Sequence, residues 1–173
     1  MKELIIPLDD WAAGERNFRY TADSEFFQAF GNTEILDAAV GVEVRVVKQS
    51  SRRVEADLHL TGTITVACDR CLEPLALPVD EAESLSFRAD VPEDADLSEE
   101  GTEVLPLTST PGGLDLSQVV YDYVCLALPL QRVHPEGGCN PDTVRFLNQN
   151  GRKDEEAAPS SPFAALKGLF ESK

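Results

Sequence analysis

The sequence predicts an α+β protein, built as an antiparallel sheet that could close into a barrel-like form, with one main helix packed on it. Two observations predict this class. Apolar and polar residues alternate over three successive segments, 35–48, 54–68 and 75–89, as expected of strands with one solvated face. A later segment, 115–128, carries apolar residues at helical spacing instead.

The N-terminal segment 1–34 holds six of the twelve aromatic residues, which predicts that it packs on the core. Residues 18–21 have the pattern of a short strand. Phe26, Phe27 and Phe30 follow with the i, i+1, i+4 spacing of one helix face.

The three alternating segments succeed one another with short connections, so we predict an antiparallel meander. The apolar residues of shared parity in the first segment are Leu36, Ala38, Val40, Val42, Val44 and Val46. Those of the second are Val54, Ala56, Leu58, Leu60, Ile64 and Val66, and those of the third are Leu75, Leu77, Val79, Leu85 and Phe87.

Residues 90–103 contain seven carboxylates and no basic residue. Like charges at this density repel one another and resist burial, which predicts an exposed, mobile loop. The following residues 105–107 have the pattern of a short edge strand or loop. Asp115 or Ser117 can then cap the main helix, which Pro129 should end.

We therefore expect one domain over 1–150 that includes the acidic loop 90–103. The composition of 151–162 is typical of a linker. The tail 163–173 is amphipathic, and its length predicts a helix only when it is docked on another surface. Its apolar face consists of Phe163, Leu166 and Phe170.

The charge balance is strongly acidic, with 31 Asp and Glu against 15 Lys and Arg and a net charge of −16. This excludes binding to nucleic acid through bulk charge, because such binding needs Lys and Arg to replace counterions. It permits a local basic contact or attraction of a basic protein. Short apolar runs predict no membrane span, and the N-terminus lacks a secretory pattern, so we expect a cytoplasmic protein.

Cys68-Asp-Arg-Cys71 lies at the join of two predicted strands, where a tight turn can aim two thiolates at one point. His134 and Cys139 flank a glycine-containing loop and supply the best complement. Together the four residues form a Cys3His set, a usual combination for structural zinc. Their long separation in sequence leaves open the alternative of unliganded thiols and a surface histidine.

Cys125 lies beside the apolar stripe of the predicted helix, where a free cysteine packs as a small hydrophobe. His59 falls on the polar face of its strand, which predicts an exposed histidine.

Basic residues that could contact RNA or a partner are Arg52 and Arg53 at one hairpin end, Arg70 inside the cysteine turn, and Arg132 before His134. A metal site would bring Arg70 and Arg132 near each other as a possible phosphate contact. The alternative is that these arginines form ordinary surface ion pairs.

Enzymatic hypotheses find little support, and no small-molecule substrate is expected. The sequence has no G-x-S-x-G, P-loop or G-x-G-x-x-G pattern. A Cys139–His134 nucleophile pair lacks an accompanying motif. A redox role for Cys68 and Cys71 would require a strand-to-helix setting, whereas their surroundings predict a hairpin.

Three stretches resemble the bacterial YceD family, called large ribosomal RNA subunit accumulation protein. They are Cys68-Asp-Arg-Cys71-Leu-Glu-Pro74, Leu126-Ala-Leu-Pro129-Leu with the later His134 and Cys139, and Pro162-Phe-Ala-Ala-Leu-Lys167.

The resemblance implies a role in 23S ribosomal RNA accumulation and large-subunit biogenesis, without enzymatic activity. It also favours the four-residue metal set. The partner would be large-subunit rRNA, a basic ribosomal protein or both, and the acidity favours protein contact. The alternative is a zinc-stabilised protein-interaction module without a ribosomal role.

Overall fold

The chain is described here by a computed structural model. The described residues are 4–9, 12–92, 97–99, 102–107 and 113–151. The predicted tail 163–173 and the predicted linker beyond Gly151 lie outside them.

The described residues fall into two compact units. One, which we call the sheet unit, consists of described residues up to 67 together with 74–132. The other, which we call the cysteine unit, consists of 68–73 and 133–151. The single domain expected over 1–150 stays a prediction.

The sheet unit contains a six-stranded sheet with the order β2-β3-β4-β5-β7-β6. The strands are β2 Gly14–Asp23, β3 Ile35–Ser50, β4 Arg53–Ala67, β5 Pro74–Arg88, β6 Leu97–Glu99 and β7 Thr102–Pro106. Strands β2 to β5 pair antiparallel with their neighbours, which confirms the predicted meander. A second, two-stranded sheet pairs β1 Ile5–Ile6 with β8 Leu114–Asp115.

The core of the sheet unit lies against the apolar face of the meander. Alternation along β3 and β4 buries one set of side chains completely or nearly so and leaves the opposite set on the solvated face. Helices α1 (Ser24–Ala29) and α2 (Ser117–Leu126) add Phe26, Phe27 and Val120 to the same core. Helix α2 is therefore not alone in packing on the sheet.

The N-cap of helix α2 lies one position away from each of the two predicted caps, Asp115 and Ser117. Its N-cap is Leu116, which makes no side-chain cap hydrogen bond. Asp115 accepts the N–H of Ser117 at 2.8 Å, while the Ser117 hydroxyl accepts the N–H of Leu4 at 2.9 Å. The polar side chain therefore holds the N-terminal segment, which local pattern cannot reveal.

Leu36 was predicted to be in the core, but its side chain is 51% exposed whereas Ile35 is buried. The cause is a register shift between Ile35 and Asp37, whose partners on β4 are the consecutive residues Val66 and Thr65. An extra residue in one strand moves the side chains before it to the opposite face.

The acidic segment predicted as a loop contains β6 and the beginning of β7. Strand β7 pairs parallel with β5 and antiparallel with β6, so it is not an edge strand. Strand pairing uses backbone groups, whatever the charge of the side chains. Because β5 lies outside the acidic segment, the density of charge within that segment could not predict the pairing of β7 with β5. Residues 93–96 and 100–101 of the predicted loop lie outside the described ranges.

The barrel-like closure is not observed in the described sheet, because β2 and β6 occupy opposite ends of the strand order and do not pair. No helix in the described part of the chain is long and apolar enough to cross a membrane.

Gly62 provides a test of the β3–β4 pairing. A Cβ at this position would overlap the carbonyl oxygen of Ala39 and lie 2.8 Å from the Cα of Val40. We expect Gly62→Ala to lower the free energy of unfolding by about 2–3 kcal/mol in urea titrations, because backbone atoms must shift. Gly41→Ala is the matched control, since its Cβ would lie 3.4 Å from the nearest atom. Equal stability of the two variants would contradict this pairing.

Candidate metal centre

The first half of the candidate centre is the turn 68–73, which connects β4 to β5 and which we call the cysteine turn. The N–H of Cys68 donates to the Glu73 carbonyl, and the N–H of Leu72 donates to the Cys68 carbonyl, both at 2.9 Å. Leu72 completes the turn with a φ of +63°. These bonds fold Cys68 and Cys71 back toward each other.

The second half is the segment 133–140, which we call the histidine loop. Gly137 has a φ of +79°, and the N–H of Gly138 donates to the Pro135 carbonyl at 2.9 Å. This turn reverses the chain between His134 and Cys139. It requires the conformational freedom of glycine at position 137.

Helix α3 (Pro141–Gly151) begins directly after this loop and was not predicted. The Asn140 side chain accepts the N–H of Asp142 at 2.9 Å and donates to the Glu73 carboxylate at 2.7 Å. It therefore caps the helix and connects it to the cysteine turn. Asn before Pro is a helix-start signal that the sequence does contain.

The four predicted ligands converge. Their candidate ligand atoms all lie within 4.8 Å of one another. The Sγ atoms of Cys68 and Cys139 are 3.9 Å apart, and the Nδ1 of His134 lies 3.4 Å from the Cys71 Sγ and 3.9 Å from the Cys139 Sγ.

These spacings fit a tetrahedral ion. Zinc bonds of about 2.3 Å to sulfur and about 2.0–2.1 Å to nitrogen place two sulfurs about 3.8 Å apart and a sulfur and a nitrogen about 3.6 Å apart. The three separations given above scatter around these values, and every other pair of candidate ligand atoms lies within 4.8 Å. The four residues can therefore hold a metal ion with Nδ1 as the histidine ligand.

The electrostatics of the cluster favour cation binding. Burial raises the pKa of the Cys68 thiol, but the backbone N–H groups of Cys71, Arg70 and His134 outweigh it and hold this pKa below its usual value. Burial and the neighbouring sulfurs raise the pKa of Cys139. A bound cation would offset this penalty on the Cys139 thiolate, and protonation of the ligands in acid would release the cation.

The three cysteines are also the core of their unit. Among the described residues of the cysteine unit, Cys68, Cys71 and Cys139 are the buried side chains, and His134 is half-buried.

Reactive cysteines are partly exposed and have depressed pKa values. Cys68 has a lowered pKa but is fully buried, whereas Cys139 is buried and has a raised pKa.

The remaining Cys and His lie elsewhere, as expected. Cys125 packs against the core on α2, where the Asn32 amide donates to its sulfur at 3.8 Å and burial raises its pKa. His59 is exposed on the solvated face of the sheet, 3.1 Å from the Asp80 carboxylate.

The predicted contact arginines are distributed over both units. Arg53 pairs with Glu55 at 3.2 Å, and Arg132 pairs with Glu34 at 2.8 Å. These pairs agree with the alternative of surface ion pairs. Arg52 and Arg70 are exposed, and their assignment to partner contact stays a prediction.

The fold and the site thus define a β-rich protein with a buried Cys3His cluster. The sequence pattern of one family, described as large ribosomal RNA subunit accumulation protein YceD, matches residues 56–170. The match spans about two thirds of the chain and includes all four cluster residues, and the chain belongs to the YceD family. No curated protein and no solved structure matches the chain.

Elemental analysis of chain purified without chelator should find about one zinc per molecule, because a Cys3His set completes tetrahedral coordination. Cys68→Ser and Cys139→Ser should each reduce this occupancy. Cys125→Ala is the control and should retain full zinc. A Cys68→Ser protein with full zinc would disprove the assignment.

Chelation should loosen the cysteine unit before the sheet unit, because the cluster supplies the buried side chains of the former while the latter has its own apolar core. Hydrogen exchange after chelator treatment should accelerate in 68–73 and 133–149. Strands β3 and β4 and helix α2 should stay protected. Exchange that accelerates equally in all of them would show that the metal holds the whole fold.

Proposed function

We propose that this chain is a non-catalytic ribosome-biogenesis factor that supports 23S rRNA accumulation and large-subunit assembly, with a structural zinc ion in the Cys3His cluster. The observation that carries the proposal is the YceD match over 56–170, which encloses the whole cluster.

The proposed zinc is structural because the chain supplies four ligands. A catalytic zinc usually has three protein ligands and an open position for water or substrate. Four converging side chains leave no such position. The metal would instead hold the cysteine turn and the histidine loop together as a rigid surface.

The solvated face of the sheet also supports a non-catalytic role. A groove across β2 to β5 is lined by charged side chains that already neutralise one another. Arg19 pairs with Glu43 at 3.0 Å, and Arg45 lies between Glu15 at 2.8 Å and Asp57 at 3.0 Å. Groups engaged in such pairs are poorly placed to polarise a substrate.

The distribution of charge supports a basic partner. Residues 1–67 and 74–132 contain 23 of the 31 acidic and 9 of the 15 basic residues, a net charge of −14. A field of this sign repels phosphate and attracts Lys-rich and Arg-rich proteins. Ribosomal assembly would thus be supported through contact with a basic ribosomal protein.

The function can be tested in a host strain that lacks the gene. We expect a lower ratio of 23S to 16S rRNA and fewer mature large subunits on sucrose gradients. Expression of the full chain should restore both. Cys68→Ser should restore them poorly, whereas Cys125→Ala should match the wild type.

A normal 23S to 16S ratio in the strain without the gene would contradict the ribosomal role. Zinc binding with that outcome would favour the zinc-stabilised interaction module instead. Full rescue by Cys68→Ser together with lost zinc would show that the metal is not needed for the function.

A further inference from the structure

The cysteine turn places position 72 in a left-handed conformation, and neither backbone preference nor burial explains why that residue is leucine. Its φ of +63° lies in the left-handed region, which glycine adopts without strain and a branched aliphatic residue does not. Its side chain is 76% exposed and adds little to the buried core. A strained and exposed leucine beside the metal cluster therefore points to a contact outside the chain.

Helix α3 presents a second exposed apolar site in the same unit. Phe146 is 65% exposed and Leu147 is 45% exposed. The Asn140 cap joins this helix to the cysteine turn through its hydrogen bond to Glu73. Leu72 and the two α3 residues are thus carried by one compact unit that the cluster holds together.

Exposed large hydrophobic side chains are more frequent in the cysteine unit than in the rest of the described chain. The described residues of the cysteine unit are fewer than a fifth of those in the structure. They contain three of the six exposed large hydrophobic side chains in the described part of the chain. The six are Leu36, Leu72, Leu126, Leu130, Phe146 and Leu147.

The charges carried by the same unit indicate the chemistry of the partner. The described part of the cysteine unit has four exposed carboxylates, on Asp69, Glu73, Glu136 and Asp142, against two exposed guanidinium groups. The whole chain has a net charge of −16. An RNA surface would need the opposite balance, because affinity for phosphate comes from Lys and Arg.

We propose that Leu72, Phe146 and Leu147 are the apolar anchors of a docking surface for a basic, apolar-tipped segment of a large-subunit protein. The proposal rests on the proposed function for the identity of the partner. A few well-packed side chains near the centre of an interface supply most of its affinity, while carboxylates on the same unit favour a basic partner and speed its association.

The test uses the full-length, zinc-loaded chain immobilised on a support. One arm applies total protein extracted from purified large subunits after removal of RNA, and the other applies deproteinised 23S rRNA. We expect a basic ribosomal protein to be retained and identified by mass spectrometry, with no comparable retention of the rRNA. Fluorescence anisotropy with that purified protein then gives the Kd.

Leu72→Gly and Phe146→Ser should each weaken binding about tenfold or more. Leu130→Ser is the matched control, because Leu130 is a fully exposed leucine of the sheet unit. Leu72→Gly should retain zinc and show an unchanged or higher Tm, since glycine relieves the left-handed strain. Lost affinity in a Leu72→Gly protein with full zinc and an unchanged Tm would show that Leu72 contacts the partner and is not needed for folding. This test holds even if the Phe146→Ser protein unfolds.

Wild-type affinity in a folded Leu72→Gly protein would overturn the docking surface, as would retention of 23S rRNA alone. The proposed function would survive either result if the strain lacking the gene has a lowered 23S to 16S rRNA ratio that the full chain restores. Conversely, Leu72-dependent binding of a large-subunit protein combined with normal 23S rRNA in that strain would support the surface and reject the proposed function.

Discussion

The convergence of three sulfurs and one imidazole is the constraint on which the cysteine unit depends. The unit buries almost nothing else among its described residues, and a chain segment this small cannot fold on apolar burial alone. Burial and the neighbouring sulfurs raise the pKa of Cys139, so metal binding would have to displace the proton of this thiol. Binding of a metal ion would make the four ligands the main cohesive interaction of the unit, since structural zinc contributes about 10–16 kcal/mol apparent in small peptides.

The sheet unit has a different source of stability. Its long strands bury continuous rows of Val, Leu and Ile, and aromatic residues of α1 cover one part of the core. Phe30, the C-cap of this helix, stacks on Tyr121 with ring centroids 4.5 Å apart. The solvated face carries cross-strand ion pairs that are exposed and therefore add little free energy. The chain thus combines a unit stabilised by apolar burial with one stabilised by ligand convergence.

Sequence alone predicted the meander well, because period-two alternation reports directly on which face is buried. It failed at the bulge at Leu36, where one extra residue changes the face on which a side chain lies. It also failed where an element bonds to a partner outside its own segment, as in the parallel pairing of β7 with β5 and the hydrogen bond between Ser117 and Leu4. The residue types and spacing identified the four cluster residues, but only the fold could show that they meet. Helix α3 was missed although Asn140-Pro141 signals its start.

The separation of the two half-sites has a consequence for biosynthesis. Cys68 and Cys71 are synthesised 66 and 63 residues before His134. At translation rates of about 5–20 residues per second, the first pair of thiols waits roughly 3–13 s for its partners. The strands of the sheet unit have all been made by then. Metal capture would therefore be a late maturation step, and a nascent chain would pass through an interval in which its half-site is open to oxidants and competing metals.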